Sequence, residues 1–424
     1  MRAAVSKFKL PAANRKELNS VKSFCHCLRA GIGFFAGLLL TMPASAQPTE
    51  PPTLKKAYGD QFYIGAAINR PIASATAVRA DFRRSHAQVE QDRALVIEQF
   101  NHIAPENDLK WGVIHPREGP DGYNWEPADA YVDFGVRHNM YIAGHTLVWH
   151  AQTPFWVFRA KNDPPEQTNE PDDRRGRRFG RLGFRGPRAS REELLKRMRD
   201  HIHTVVGRYK GKIHAWDVVN EALSDSSEEL LRNSLWLQII GPDFIAKAFQ
   251  YAHEADPKAI LRYNDYGLEN PKKRRKLIAL IRSLQEQGVP VMAIGSQTHI
   301  NVASPSFEEM DLALTEMESL GLPIHITELD VNTALRGQRR TGADIADNAA
   351  VTAGGRIQDA EQRQADQYAN VFRAFLKHKD SVKVITFWGV NDAVSWRARG
   401  KPLLFDGNDQ PKPAFDAVIR VATE

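Results

Sequence analysis

The sequence predicts an α/β protein built as a single (β/α)8 TIM barrel, with long loops after its third and seventh strands. Three observations carry this expectation. Eight short apolar segments recur after residue 54. Stretches with helical period lie between them. Polar, aromatic and acidic residues gather where the apolar segments stop. Nearly continuous apolar strands alternating with helices indicate a parallel sheet covered by helices. Periodicity alone also admits a doubly wound open sheet.

In chain order the predicted strands are Phe62–Ala66, Phe100–Ala104, Tyr141–Thr146, Ile213–Asn220, Ile260–Asn264, Val291–Gln297, Ile324–Glu328 and Val384–Trp388. Between the third and fourth, Glu192–Tyr209 places Leu194, Leu195, Met198, Ile202, Val205, Val206 and Tyr209 on one face of a helix. Phe244–Glu254, Pro271–Gln287, Phe307–Leu320 and Glu361–Lys377 repeat that pattern after the next four strands. Asn162–Arg188 holds seven arginines among many Gly and Pro and has no period, so it reads as a long solvated loop after the third strand. Ala334–Gly355 reads as a second long loop, after the seventh. In a barrel, loops that follow strands lie on the face that carries the active site.

The chain has 424 residues, 42% hydrophobic and 25% charged, which is globular usage and excludes a mainly disordered, collagen-like or coiled-coil protein. Barrels of this type take about 250 residues or more, so one domain over residues 54–424 accounts for the folded chain. The net charge of +6 suggests a polyanionic partner until its position is considered. Residues 1–46 contain seven basic residues and one acidic residue, which leaves the remainder with fifty of each, so no nucleic-acid partner is expected.

The same leader continues with an apolar run, Ala30–Leu40, and the small residues Ala44-Ser45-Ala46 before Gln47, the pattern of a secretory signal peptide. The run is shorter than the roughly 20 residues of a membrane span, so no stable membrane anchor is expected. Cleavage after Ala46 would remove Cys25 and Cys27, both cysteines of the chain. The expected product is a secreted monomer, periplasmic or extracellular, that begins with a Pro-rich linker over residues 47–53 and is held together by its core without disulfides.

Two strand ends carry carboxylates. The fourth closes on Trp216-Asp217-Val218-Val219-Asn220-Glu221 and the seventh on His325-Ile326-Thr327-Glu328-Leu329-Asp330. A barrel converges its strand ends on one pocket, so Glu221 and Glu328 can face each other across a substrate. Two carboxylates, one protonated to donate to a leaving oxygen and one ionised to attack or stabilise a sugar cation, are what glycosidic cleavage requires. Other strand ends supply Glu106-Asn107-Asp108-Leu109-Lys110-Trp111, Gly144 to His150, Gln297-Thr298-His299, and Trp388 with Trp396. Indoles stack on the apolar faces of sugar rings, and the polar groups match their hydroxyls. Trp216 and Trp236 are expected in the core. The histidines occur singly on separate strands without HExxH spacing, so neither a metal nor another cofactor is expected.

These segments, with Tyr263-Asn264-Asp265-Tyr266 and Phe387-Trp388-Gly389, resemble the motif series of the family 10 glycoside hydrolases, the endo-β-1,4-xylanases, from about Leu54 to the C-terminus. The resemblance implies retaining endo-hydrolysis of xylan or xylo-oligosaccharides, with Glu221 as acid/base and Glu328 as nucleophile. It implies that Asn220 holds the 2-hydroxyl of the attacked sugar and that His299 with Asp330 orients the nucleophile. Lys110, His145, Trp149, Gln297, Trp388 and Trp396 would surround that sugar, with Glu106 and Asn107 one subsite further toward the non-reducing end. Arg262 and Gly267 stand where tyrosine and asparagine are more usual, which directs attention to the leaving-group subsites, and the arginine loop would favour encounter with acidic, glucuronosyl-branched xylan. Rival readings are the same barrel acting on β-glucan or on short xylo-oligosaccharides, and a non-catalytic sugar-binding protein. The last would require loss of one carboxylate, and both are present.

Overall fold

A computed structural model describes residues 52–76, 84–161, 186–333 and 357–424. The leader, the arginine-rich stretch up to residue 185 and the loop after the seventh strand lie outside the described residues. Eight strands form the barrel: β1 (Tyr63–Ile68), β2 (His102–Pro105), β3 (Tyr141–Gly144), β4 (Ala215–Asn220), β5 (Ile260–Asp265), β6 (Ala293–Ser296), β7 (Ile324–Asn332) and β8 (Val382–Phe387). Every neighbouring pair is parallel. Closure comes from β8, which pairs with β7 on one side and with β1 on the other, in the register Tyr63↔Val384 through Ala66↔Phe387. The sheet therefore has no open edge, and the doubly wound alternative falls.

Each strand is followed by a helix: α1 (His86–Gln99), α2 (Glu126–Arg137), α3 (Arg191–Arg208), α4 (Phe244–Ala255), α5 (Pro271–Glu286), α6 (Phe307–Glu318), α7 (Ile357–Lys377) and α8 (Pro413–Val421). Five match the helical stretches read from the sequence. The helices α1, α2 and α8 were not among them. In α1 the inward face mixes Val89, Leu95 and Val96 with buried Asp92 and Gln99, which breaks the apolar period. Its start is nevertheless well marked, since Ser85 and Gln88 form a reciprocal capping box.

One continuous core joins strands and helices, with Trp216 and Trp236 fully buried as expected. The Trp216 indole packs against Gly144 of β3. A Cβ on Gly144 would come within 2.2 Å of that ring, so only glycine allows the approach. Two short strands beyond the barrel set up the pocket. Val148–Trp149 runs beside β4 and pairs Trp149 with Asn220, while His299–Asn301 runs beside β7 and pairs His299 with Asp330. This second pairing extends β7 to Asn332, four residues past the predicted end at Glu328, so Glu328 sits inside a strand.

Candidate active site

Glu221 is the first residue after β4, with a backbone φ of +56°, a left-handed conformation costly for any residue but glycine. Its N–H donates to the Asn264 carbonyl at 2.8 Å, and its carbonyl accepts from Arg232 Nε at 3.0 Å. These bonds aim the carboxylate into the mouth of the barrel. There Oε2 accepts from Trp149 Nε1 at 2.9 Å and Oε1 from Gln297 Nε2 at 3.0 Å. Gln297 also reaches Asn220 Oδ1 at 3.3 Å.

Glu328 has different partners. Asn264 Nδ2 donates to its Oε1 at 2.9 Å, and His299 Nε2 lies 3.1 Å from its Oε2. The same Asn264 amide donates to Asn220 Oδ1 at 2.9 Å and accepts from Thr327 Oγ1 at 2.6 Å. His299 Nδ1 lies 2.9 Å from Asp330 Oδ2, and Asp330 further accepts from Trp396 Nε1 and Arg397 Nη1 at 2.9 and 2.8 Å. Burial alone would lower the His299 pKa, but the charge of Asp330 and the bonds to Asp330 and Glu328 outweigh it and push it up to about 9. His299 is thus an imidazolium between two carboxylates at neutral pH.

The remaining expected residues complete one cluster. Lys110 Nζ donates to Asn107 Oδ1 at 3.1 Å and stands 5.1 Å from the Trp149 ring. Glu106 interacts with both Lys110 and Asn107, and its pKa is raised by burial against the lowering effect of Lys110. Trp388 fills the space left by Ala67, Ala104 and Ala143 and meets the rings of His145 and His299 at 5.2 and 6.4 Å. The contacts above link the residues singled out in the sequence into one cluster at the C-terminal ends of the strands. Among the described residues no group of three or more His, Cys, Asp or Glu could hold a metal ion, and no helix is long and apolar enough to cross a membrane.

Arg262 lies inside the barrel: it is 1% exposed, its Nε and Nη2 fork onto Asp217, and its Nη1 lies 3.1 Å from His325 Nδ1. The neighbouring register Asp217↔Arg262 of β4 and β5 puts the two charges side by side. Burial would raise the Asp217 pKa, yet the Arg262 charge and the bond from His145 bring it down to about 2. Asn264 and Arg397 also went without a role in the sequence reading. Asn264 ends a strand within a quoted segment, so the rule that selected Glu221 applies to it equally. Arg397 has no such signal.

A closed (β/α)8 barrel carrying two glutamates, each held by its own polar set at the C-terminal mouth, defines a glycoside hydrolase site. The chain belongs to glycosyl hydrolase family 10, whose family model matches residues 53–421. It is 37% identical over 382 residues to a β-1,4-xylanase of Dictyoglomus thermophilum, covering 88% of this chain and 92% of the relative. It is 36% identical over 378 residues to endo-1,4-β-xylanase B of Paenibacillus barcinonensis, covering 88% and 98%. Among solved structures, a family 10 endoxylanase from a sugarcane soil metagenome superposes with a TM-score of 0.72 at 36% identity, covering 87% of this chain and 99% of that one.

Proposed function

We propose that this protein is an endo-1,4-β-xylanase that cleaves internal β-1,4-xylosidic bonds of xylan with retention of configuration. The observation that carries the reading is the pairing of Glu221 and Glu328 with dissimilar partners in a family 10 barrel. Glu328 attacks the anomeric carbon and forms the covalent glycosyl-enzyme, while Glu221 gives its proton to the leaving oxygen. Glu221 then takes a proton from the water that releases the sugar. Asn264 holds Oε1 of Glu328 and His299 meets its Oε2, which fixes the orientation of the carboxylate for attack. Asn220 serves the 2-hydroxyl of the attacked sugar, with Lys110, His145, Trp149, Gln297, Trp388 and Trp396 around that ring and Glu106 and Asn107 beyond it.

Purified protein incubated with xylan, carboxymethylcellulose and xylobiose tests this reading. The expected outcome is a series of short xylo-oligosaccharides from xylan and little release from the others; release confined to the cellulose derivative would overturn it. The cellulose arm matters because one relative of this chain, 36% identical, is an exoglucanase of Acetivibrio thermocellus. The leader supports export with cleavage after Ala46, and the protein acts as a monomer outside the cytoplasm. N-terminal sequencing of exported protein should begin at Gln47, and sedimentation should return a single-chain mass.

A further inference from the structure

Arg262 is a full charge inside the barrel, beneath the pocket and out of reach of substrate. A lone buried guanidinium is costly, and the ion pair with Asp217 offsets that cost only if both oxygens of the carboxylate are used. They are: Oδ1 and Oδ2 face the fork of Arg262, and Oδ2 also lies 2.9 Å from His145 Nδ1. His145 stands at the end of β3, 2% exposed, with its ring 5.2 Å from Trp388 and 6.4 Å from Trp149. A row of three side chains thus runs from the barrel interior to the sugar pocket.

An ionised carboxylate accepts hydrogen bonds and donates none, so the nitrogen it faces must carry the proton. We propose that Arg262 is a positioning residue: by holding Asp217 as a carboxylate in one orientation, it makes His145 Nδ1 the protonated nitrogen and leaves Nε2, on the far edge of the ring, to meet a sugar hydroxyl. His325 secures the arrangement from the other side. Its Nδ1 accepts from Arg262 Nη1, and burial beside that guanidinium keeps the imidazole neutral. The consequence for turnover rests on the xylanase reading, whereas the tautomer does not.

The direct test is the imidazole 15N and 1H spectrum of the wild-type protein, with the His145 signals assigned by their loss in His145→Gln. A proton on Nδ1 is expected, and a His145 protonated on Nε2 alone overturns the proposal whatever the variants do. Arg262→Met/Asp217→Asn removes both buried charges together and puts an amide, able to donate or accept, against Nδ1. This variant should keep its circular dichroism, lose the fixed Nδ1 proton signal and fall about tenfold in kcat/KM on xylan, the low end of the scale known for partners behind metal-ligating histidines. Arg262→Lys keeps the charge and should retain the signal and stay within about threefold of wild type. A folded double variant with unchanged kcat/KM and unchanged His145 signals refutes the assignment. Failure of the wild type on xylan would count against the functional reading while the spectrum still decides the tautomer.

Discussion

Glu221 and Glu328 are the same residue type given different tasks by their neighbours. Glu221 takes neutral donors, the Trp149 indole and the Gln297 amide, whereas Glu328 takes one amide and a cationic imidazole. Glu328→Ala should abolish turnover of every substrate. Glu221→Ala should lose xylan hydrolysis but still release an activated aryl leaving group that needs no proton, and equal loss on both substrates would reverse the assignment. Asn264→Ala removes donors to both Asn220 and Glu328. A hydrogen bond to a charged group contributes about 1.5–3 kcal/mol, so kcat should drop roughly 10- to 100-fold with a smaller change in KM, read from initial rates on xylohexaose.

At the scale of elements, the pocket depends on strands that run on past the barrel. Pairing of His299–Asn301 with β7 places His299 opposite Asp330, and a one-residue slip of that short strand would send His299 to the wrong face. Behind Asn264 lies Gly295 of β6, where an added Cβ would come within 2.4 Å of Asn264 Oδ1. Gly295→Ala should therefore impair turnover by displacing a side chain rather than by removing one, with crystallography of the variant showing Asn264 moved. Helix α6 gives a contrast. Ser306 and Glu309 form its capping box at the helix start. Ser306→Ala should cost about 1 kcal/mol in urea unfolding and leave kcat/KM unchanged.

For the molecule as a whole, closure of the barrel buries charges that then answer to pH. The His299 pKa of about 9 lies above its ordinary value of about 6.5, so the folded state holds this proton more tightly than the unfolded chain. That stabilisation is complete below about pH 6.5 and is lost as pH rises through 9. The thermal midpoint should accordingly fall between pH 7 and about 9.5, and His299→Gln should flatten this dependence. Asp217 works in the opposite direction. Its depressed pKa contributes stability above the usual carboxylate range, lost only as the pH approaches about 2.

The order of strands and helices, and the residues at the strand ends, were legible in the sequence because they rest on local properties. Apolar runs mark buried strands, a 3.6-residue period marks α3 through α7, and Glu221 and Glu328 follow such runs directly. The helix α1 escaped because Asp92 and Gln99 face inward, Asp92 held by Arg84 and Asn391 and Gln99 by the Leu54 N–H. What only the tertiary structure decided is which side chains meet. Arg262 looked like a pocket variation and is a barrel-interior cation; Asn264 looked like one residue of a motif and bonds to both Asn220 and Glu328; Arg397 had no signal and braces Asp330. These contacts join strands and loops tens of residues apart, and their geometry follows from the register in which the barrel closes, a property of eight strands together that no single segment encodes.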